Sequence, residues 1–112
     1  KQKIPTSSLN DTMLKAIQGY HPPVVRGYPI KIKFVTQLPT AVPSFAFFCN
    51  FPDDIKQPYK NYLENKLREN FKLTGVPVGC FLEEEEEGEV EEEIEIEEVE
   101  EEIEIEIEEE NV

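Results

Sequence analysis

Charge is divided so sharply along this 112-residue chain that only its first 82 residues can be read as a folding unit. Positions 83–112 hold 20 of the 25 acidic residues and no lysine or arginine. Positions 1–82 hold all 11 basic residues against five acids, Asp11, Asp53, Asp54, Glu64 and Glu69, a formal charge of +6. The overall charge of −14 averages these two parts and describes neither. A basic body of about 80 residues buries roughly 60% of the surface its unfolded chain exposes, enough for one small core without a metal or a disulfide. The chain is accordingly divided into a domain at 1–82 and a Glu-rich, low-complexity segment at 83–112.

Within the body, Ile30–Thr36 alternates apolar and polar residues with period two, as a half-buried strand requires. Ser44–Phe51 is apolar on nearly every residue and reads as a strand covered on both sides or lying centrally in a small sheet. Between them Pro39 and Pro43 remove two backbone donors, so the chain leaves the ladder and returns antiparallel. Upstream, Leu9, Met13, Leu14, Ala16, Ile17 and Tyr20 recur at helical intervals behind the hydroxyls of Thr6, Ser7 and Ser8, with Ser8 and Asp11 at capping-box spacing; His21-Pro22-Pro23 stops this helix. A loop follows in which Gly27 can supply a positive φ.

Downstream, Pro52-Asp53-Asp54 is a break that places acids at the start of a second helix, where Tyr59, Tyr62, Leu63, Leu67, Asn70 and Phe71 follow the i, i+3, i+4 template. Lys72–Gly75 supplies a terminal cation and a glycine stop, and Pro77–Leu82 reads as a third strand. A strand, helix, strand connection of this length is a right-handed crossover, so the third strand runs parallel to the second. The expected fold is α+β: an α-β-β-α-β order with a three-stranded mixed sheet and two helices on one face.

Several chemistries find no support in these residues. No GxxxxGK[ST] stretch is present to hold nucleotide phosphates and Mg²⁺. The one histidine, His21, precedes two prolines and has no partner in a catalytic or metal-ligand spacing. Asp53 and Asp54 are adjacent and point apart, as capping or surface residues do, and Cys49 and Cys80 lie in apolar runs as reduced core thiols. No catalytic, cofactor or metal residue is therefore assigned. No signal peptide and no run of 18 apolar residues is seen, so a soluble cytoplasmic monomer is expected, with no membrane contact. The basic residues are the remaining candidates. Lys31 and Lys33 share a strand face opposite Ile30, Ile32 and Phe34, and Arg26, Lys56, Lys60, Lys66 and Arg68 can add to a positive surface that meets phosphates without reading bases. The plain alternative is a solvated face that keeps a small domain soluble.

Many short matches in one order carry a family resemblance: Ile4-Pro5-Thr6-Ser7, Leu9-Asn10, His21-Pro22-Pro23, Lys31-Ile32-Lys33, Thr36-Gln37, Pro43-Ser44-Phe45, Phe48-Cys49-Asn50, Tyr59-Lys60, Tyr62-Leu63-Glu64-Asn65, Leu67-Arg68 and Gly75-Val76-Pro77-Val78. Over residues 3–82 the chain resembles the C-terminal KH-like domain of the Der (EngA) tandem GTPases of bacteria. The resemblance implies a non-catalytic module of a ribosome-assembly GTPase, docking on large-subunit ribosomal RNA and on adjoining GTPase domains, with GTP and Mg²⁺ belonging to those domains and no cofactor here. Its alternative is a purely protein-interaction module for the GTPase domains, with the acidic segment excluding nucleic acid. Two departures stand out. The family closes with a short basic segment where Glu83 begins a run of acids, and the GxxG loop of ordinary KH domains is absent, Gly75 and Gly79 having the wrong spacing.

In the acidic segment Ile94, Ile96, Ile103, Ile105 and Ile107 alternate with Glu at period two, a pattern that can extend the third strand after Gly88 or form its own hairpin. Twenty like charges in 30 residues repel inside the ~8 Å screening length of physiological salt. The expectation is a disordered segment, with weak β pairing as the alternative. A disordered acidic segment can lie on the basic face as an internal phosphate mimic and compete with RNA.

Overall fold

The two strand-like runs become β1 (Ile32–Leu38) and β2 (Ser44–Cys49) in a computed structural model that describes residues 3–85 and 89–111. They pair antiparallel, with Val35 opposite Phe47 and Leu38 opposite Ser44, around the Pro39–Pro43 connection. β3 (Gly79–Glu84) joins the far side of β2 in parallel, giving the sheet order β1-β2-β3 and the crossover direction expected. Here β2 and β3 approach closely: a Cβ on Gly79 would sit 2.6 Å from the Ser44 hydroxyl, so any larger residue there makes the Ser44 side chain shift.

α1 (Thr6–Gly19) and α2 (Gln57–Asn70) cover one face of the sheet. Each presents a single stripe, Leu9, Met13 and Ile17 from α1 and Tyr59, Leu63 and Leu67 from α2, because residues four apart stack on one side of a helix. These side chains meet Ile32, Val35, Phe45, Phe47 and Cys49 in one core. Burying each Leu or Phe in it contributes about 1.5–3 kcal/mol before the entropy of ordering is charged against it.

Three local expectations are corrected. First, β1 does not keep period two. Ile32 pairs with Cys49 and Phe34 with Phe48, so two residues of β1 span one step of β2 at a bulge. The slip turns Phe34 away from the face of Ile30 and Ile32, to stack 6.1 Å from Phe48, and delivers Val35 to the helical core instead. Lys31 precedes the strand, yet Lys31 and Lys33 are both exposed where Ile30, Ile32 and Phe34 are buried, as alternation implied; of those three apolar residues Phe34 is the one outside the helical core.

Second, α1 starts at Thr6 with Pro5 as its N-cap and no capping side chain from Ser8 or Asp11. Third, Asp53 and Asp54 do not start α2. They form a separate 3₁₀ turn at Pro52–Asp54, and α2 begins after Lys56 with a proline in its first turn. At the other end of α2 the left-handed position is held by Lys72 (φ 55°) rather than by glycine, and the Leu73 N–H closes back on the Arg68 carbonyl at 3.0 Å, the Schellman arrangement. Gly75 (φ 78°) serves the next turn, where Val76 N–H donates to the Leu73 carbonyl.

The acidic segment also departs from expectation. Glu83 and Glu84 belong to β3, so the strand crosses the boundary drawn at 82, and Glu89–Glu110 forms a third helix, α3. Disorder and β pairing both give way there to a helix, because Glu has a helix propensity close to that of the best formers and a helix satisfies its backbone without a partner strand. Isoleucines two apart cannot form a stripe at 3.6 residues per turn, which leaves Val99, Ile103, Ile105 and Ile107 about half exposed. Strand extension beyond Gly88 concerns a position outside the described residues. No described helix is long and apolar enough to cross a membrane.

Candidate docking surface

β1 is an edge strand, and an unprotected edge is a row of unpaired backbone groups. α1 covers it through Asn10, whose amide nitrogen donates to the Val35 carbonyl and whose amide oxygen accepts from the Val35 N–H, both at 2.9 Å. The side chain thus imitates one residue of a neighbouring strand. At the opposite end Asn50 does the same for the run into β1, accepting from Lys31 N–H at 2.9 Å and donating to the Pro29 carbonyl at 3.2 Å. Neither role is visible in a one-dimensional pattern, since Asn is an ordinary polar residue on a helix face or after a strand.

α1 and β1, with the run that enters it, flank an open groove of about 280 Å³. Its floor is apolar, Leu14, Ile17, Ile30 and Ile32, and its rim carries Gln18, His21, Lys31 and Lys33. Lys31 and His21 are exposed, and Lys33 lies 3.4 Å from the Glu85 carboxylate. The groove brings Lys31 and Lys33 together, and it adds His21, which the sequence offered only as a lone histidine.

The other basic candidates lie elsewhere and in different states. Arg26 sits in a tight turn closed by Val25 and Tyr28, where its own φ of 54° and that of Gly27 at 79° are both positive, and it pairs with Asp54 at 2.6 Å. Lys56 reaches the Asp53 carbonyl at 3.4 Å. Arg68 is structural: its guanidinium donates to the Val76 carbonyl and lies 3.7 Å from Glu64, tying α2 to the chain that enters β3. Lys66 rests 5.7 Å over the Tyr62 ring and lines a second groove of about 390 Å³ between α1 and α2 with Asp11, Lys15 and Asn70. Lys60 is near enough to Cys80 to oppose the rise of its pKa. The seven cations therefore fall into separate groups and do not form one continuous positive face.

No buried acid or base stands ready for chemistry among the described residues. Burial pushes the Cys49 thiol up to about 11 and the Cys80 thiol up to about 12, and both are free, as expected of core thiols. Burial also raises the Tyr59 hydroxyl, which donates to the Tyr20 carbonyl at 2.7 Å, while Tyr62 donates to the Ala16 carbonyl at 2.7 Å. These hydroxyls satisfy carbonyls at the C-terminal end of α1. No group of three or more potential metal ligands occurs among the described residues.

Beyond Glu83 and Glu84, which pair with β2 in the sheet, further described residues of the acidic segment touch the body. Glu85, whose N–H donates to the Cys49 carbonyl, pairs with Lys33. On α3, Glu101 accepts from the Thr6 N–H and from the Ser7 hydroxyl at the start of α1, so a carboxylate from a distant helix sits where a capping side chain was expected.

A three-stranded mixed sheet with two helices on one face, in α-β-β-α-β order, defines a KH-like α+β domain. Residues 3–82 match the family described as KH-domain-like of EngA bacterial GTPase enzymes, C-terminal, and the chain belongs to that family. It is 60% identical over 77 residues to GTPase Der of Amoebophilus asiaticus, covering 69% of this chain and 18% of that protein. It is 50% identical over 84 residues to GTPase Der of Flavobacterium johnsoniae, covering 75% and 19%, and 53% identical over 81 residues to GTPase Der of Bacteroides fragilis, covering 71% and 18%. The chain thus spans about a fifth of the length of these relatives, and what it represents is the KH-like domain, not the catalytic one.

Proposed function

We propose that this domain is a non-catalytic docking module, a cytoplasmic monomer without a cofactor of its own, that contacts large-subunit ribosomal RNA and the GTPase domains of its parent protein. The α1–β1 groove carries the RNA part of this reading. It combines an apolar floor with two lysines and a histidine on one rim, which suits a sugar-phosphate backbone met by charge without base readout. Nucleotide bound to the neighbouring GTPase domains then governs which surface of the module is offered.

The test is Lys31→Glu with Lys33→Glu in the full chain, titrated against labelled large-subunit RNA fragments at two salt concentrations. Loss of about two phosphate contacts flattens the salt slope by about two units and abolishes tight binding. An unchanged affinity and slope would remove the groove from the RNA interface. A second reading, docking on GTPase domains alone, draws support from the acidic segment: Glu85 already neutralises Lys33 and Glu101 occupies the start of α1. Under that reading neither the parent chain nor the double variant binds RNA, and both bind the GTPase domains.

A further inference from the structure

One surface feature is left unexplained by the groove. Tyr28 is 61% exposed and Phe51 is 38% exposed, yet their rings lie together, centroids 5.9 Å apart and tilted by 42°. Large rings held side by side in water, outside the core, mark a contact surface. Their backbones are fixed. Tyr28 closes the turn with Val25 through two backbone hydrogen bonds, and Phe51 follows Asn50, whose amide ties Pro29 and Lys31 together. The rings therefore present their faces with little conformational entropy left to lose.

The charges around the pair differ between the two grooves that flank it in sequence. Beyond Phe51 lies a groove lined by Asp53, Asp54 and Glu84, where Arg26 is already engaged by Asp54. Three residues after Tyr28, Lys31 opens onto the α1–β1 groove with His21 and with Lys33, which pairs with Glu85. A polyanion crossing this end of the sheet is repelled in one direction and attracted in the other. We propose that Tyr28 and Phe51 form a stacking platform for unpaired bases of a single-stranded RNA, whose phosphates run from the rings toward Lys31 and away from the acidic groove. Aromatic faces accept any base, so the platform selects unpaired strand over duplex and not one sequence over another. This inference rests on the RNA-docking reading above and adds to it the class of RNA taken.

The experiment uses the full chain, a fluorescein-labelled oligouridylate and an RNA duplex of equal length, with anisotropy read at two salt concentrations. Tyr28→Ala and Phe51→Ala each weaken oligouridylate binding about tenfold, with the salt slope and duplex binding unchanged, because stacking carries no counterion release. Both rings are exposed, so circular dichroism of the variants matches that of the parent. If the parent binds the oligouridylate and the ring variants bind it equally well, the platform is wrong while RNA docking stands. If the parent binds neither RNA, the docking reading fails and the platform with it. Ring substitutions that weaken association with GTPase domains, and leave RNA binding intact, would reassign the pair to a protein contact and overturn the inference.

Discussion

Asn10→Ala tests how the edge of this sheet is held. Its amide donates to the Val35 carbonyl, accepts from the Val35 N–H and donates to the Thr6 carbonyl at 2.9 Å, and Val35 is fully buried. Removing the amide leaves one buried backbone donor and one acceptor of Val35 without partners. Each such orphan costs about 1–3 kcal/mol, so the pair costs about 2–6 kcal/mol, and the better helix propensity of Ala returns only about 0.5 kcal/mol. For a domain of this size whose total stability is of order 5–10 kcal/mol, a net loss near 3 kcal/mol lowers Tm by roughly 12–24 °C. Urea denaturation at constant m gives the free energy, and hydrogen exchange at the Val35 amide locates it: protection there is lost ahead of the amides of β2. A loss below about 1 kcal/mol with Val35 still protected would show that water replaces the side chain and that the edge does not depend on Asn10. The same variant loosens the α1–β1 groove that holds Lys31 and Lys33, so under the proposed RNA-docking reading RNA affinity falls together with stability.

Lys72 occupies a left-handed position after α2, so Lys72→Gly relieves backbone strain and raises stability by about 0.5–1 kcal/mol in the same urea assay, whereas Lys72→Val lowers it. The two thiols are raised in the folded state, Cys49 to about 11 and Cys80 to about 12, from an ordinary value of 9.0. Their protonated form is the one the fold prefers, so the stability they contribute is fully present below pH 9 and is lost as pH rises from about 9 toward 11 and 12. Denaturant midpoints of the parent fall over that range, and those of Cys49→Ala with Cys80→Ala fall less. Iodoacetamide modifies neither thiol of the folded chain at pH 8, a pH below both raised values.

Element type and order were legible because they depend on local repetition. Helical spacing at Leu9–Met13–Ile17 and Tyr59–Leu63–Leu67, prolines at each break and the length of the β2–α2–β3 crossover determine the α-β-β-α-β order and the parallel third strand. The division of charge at residue 82 likewise belongs to the sequence alone, and it separates the body from α3 even though β3 runs two residues past it. Tertiary structure decided what one-dimensional patterns do not encode. The bulge at Ile32–Phe34 depends on how β1 meets β2, and it left Phe34 buried against Phe48 while Val35 joined the helical core, against the alternation. Asn10, Asn50 and Glu101 act on backbone groups 19 to 95 residues away, so their roles appear only when the chain has closed on itself. Lys31, Lys33 and His21 became one groove, Tyr28 and Phe51 one exposed pair, and Arg26 and Arg68 were spent on ion pairs and carbonyls. Periodicity reports which residues avoid water, and only the packed chain determines which polar groups meet.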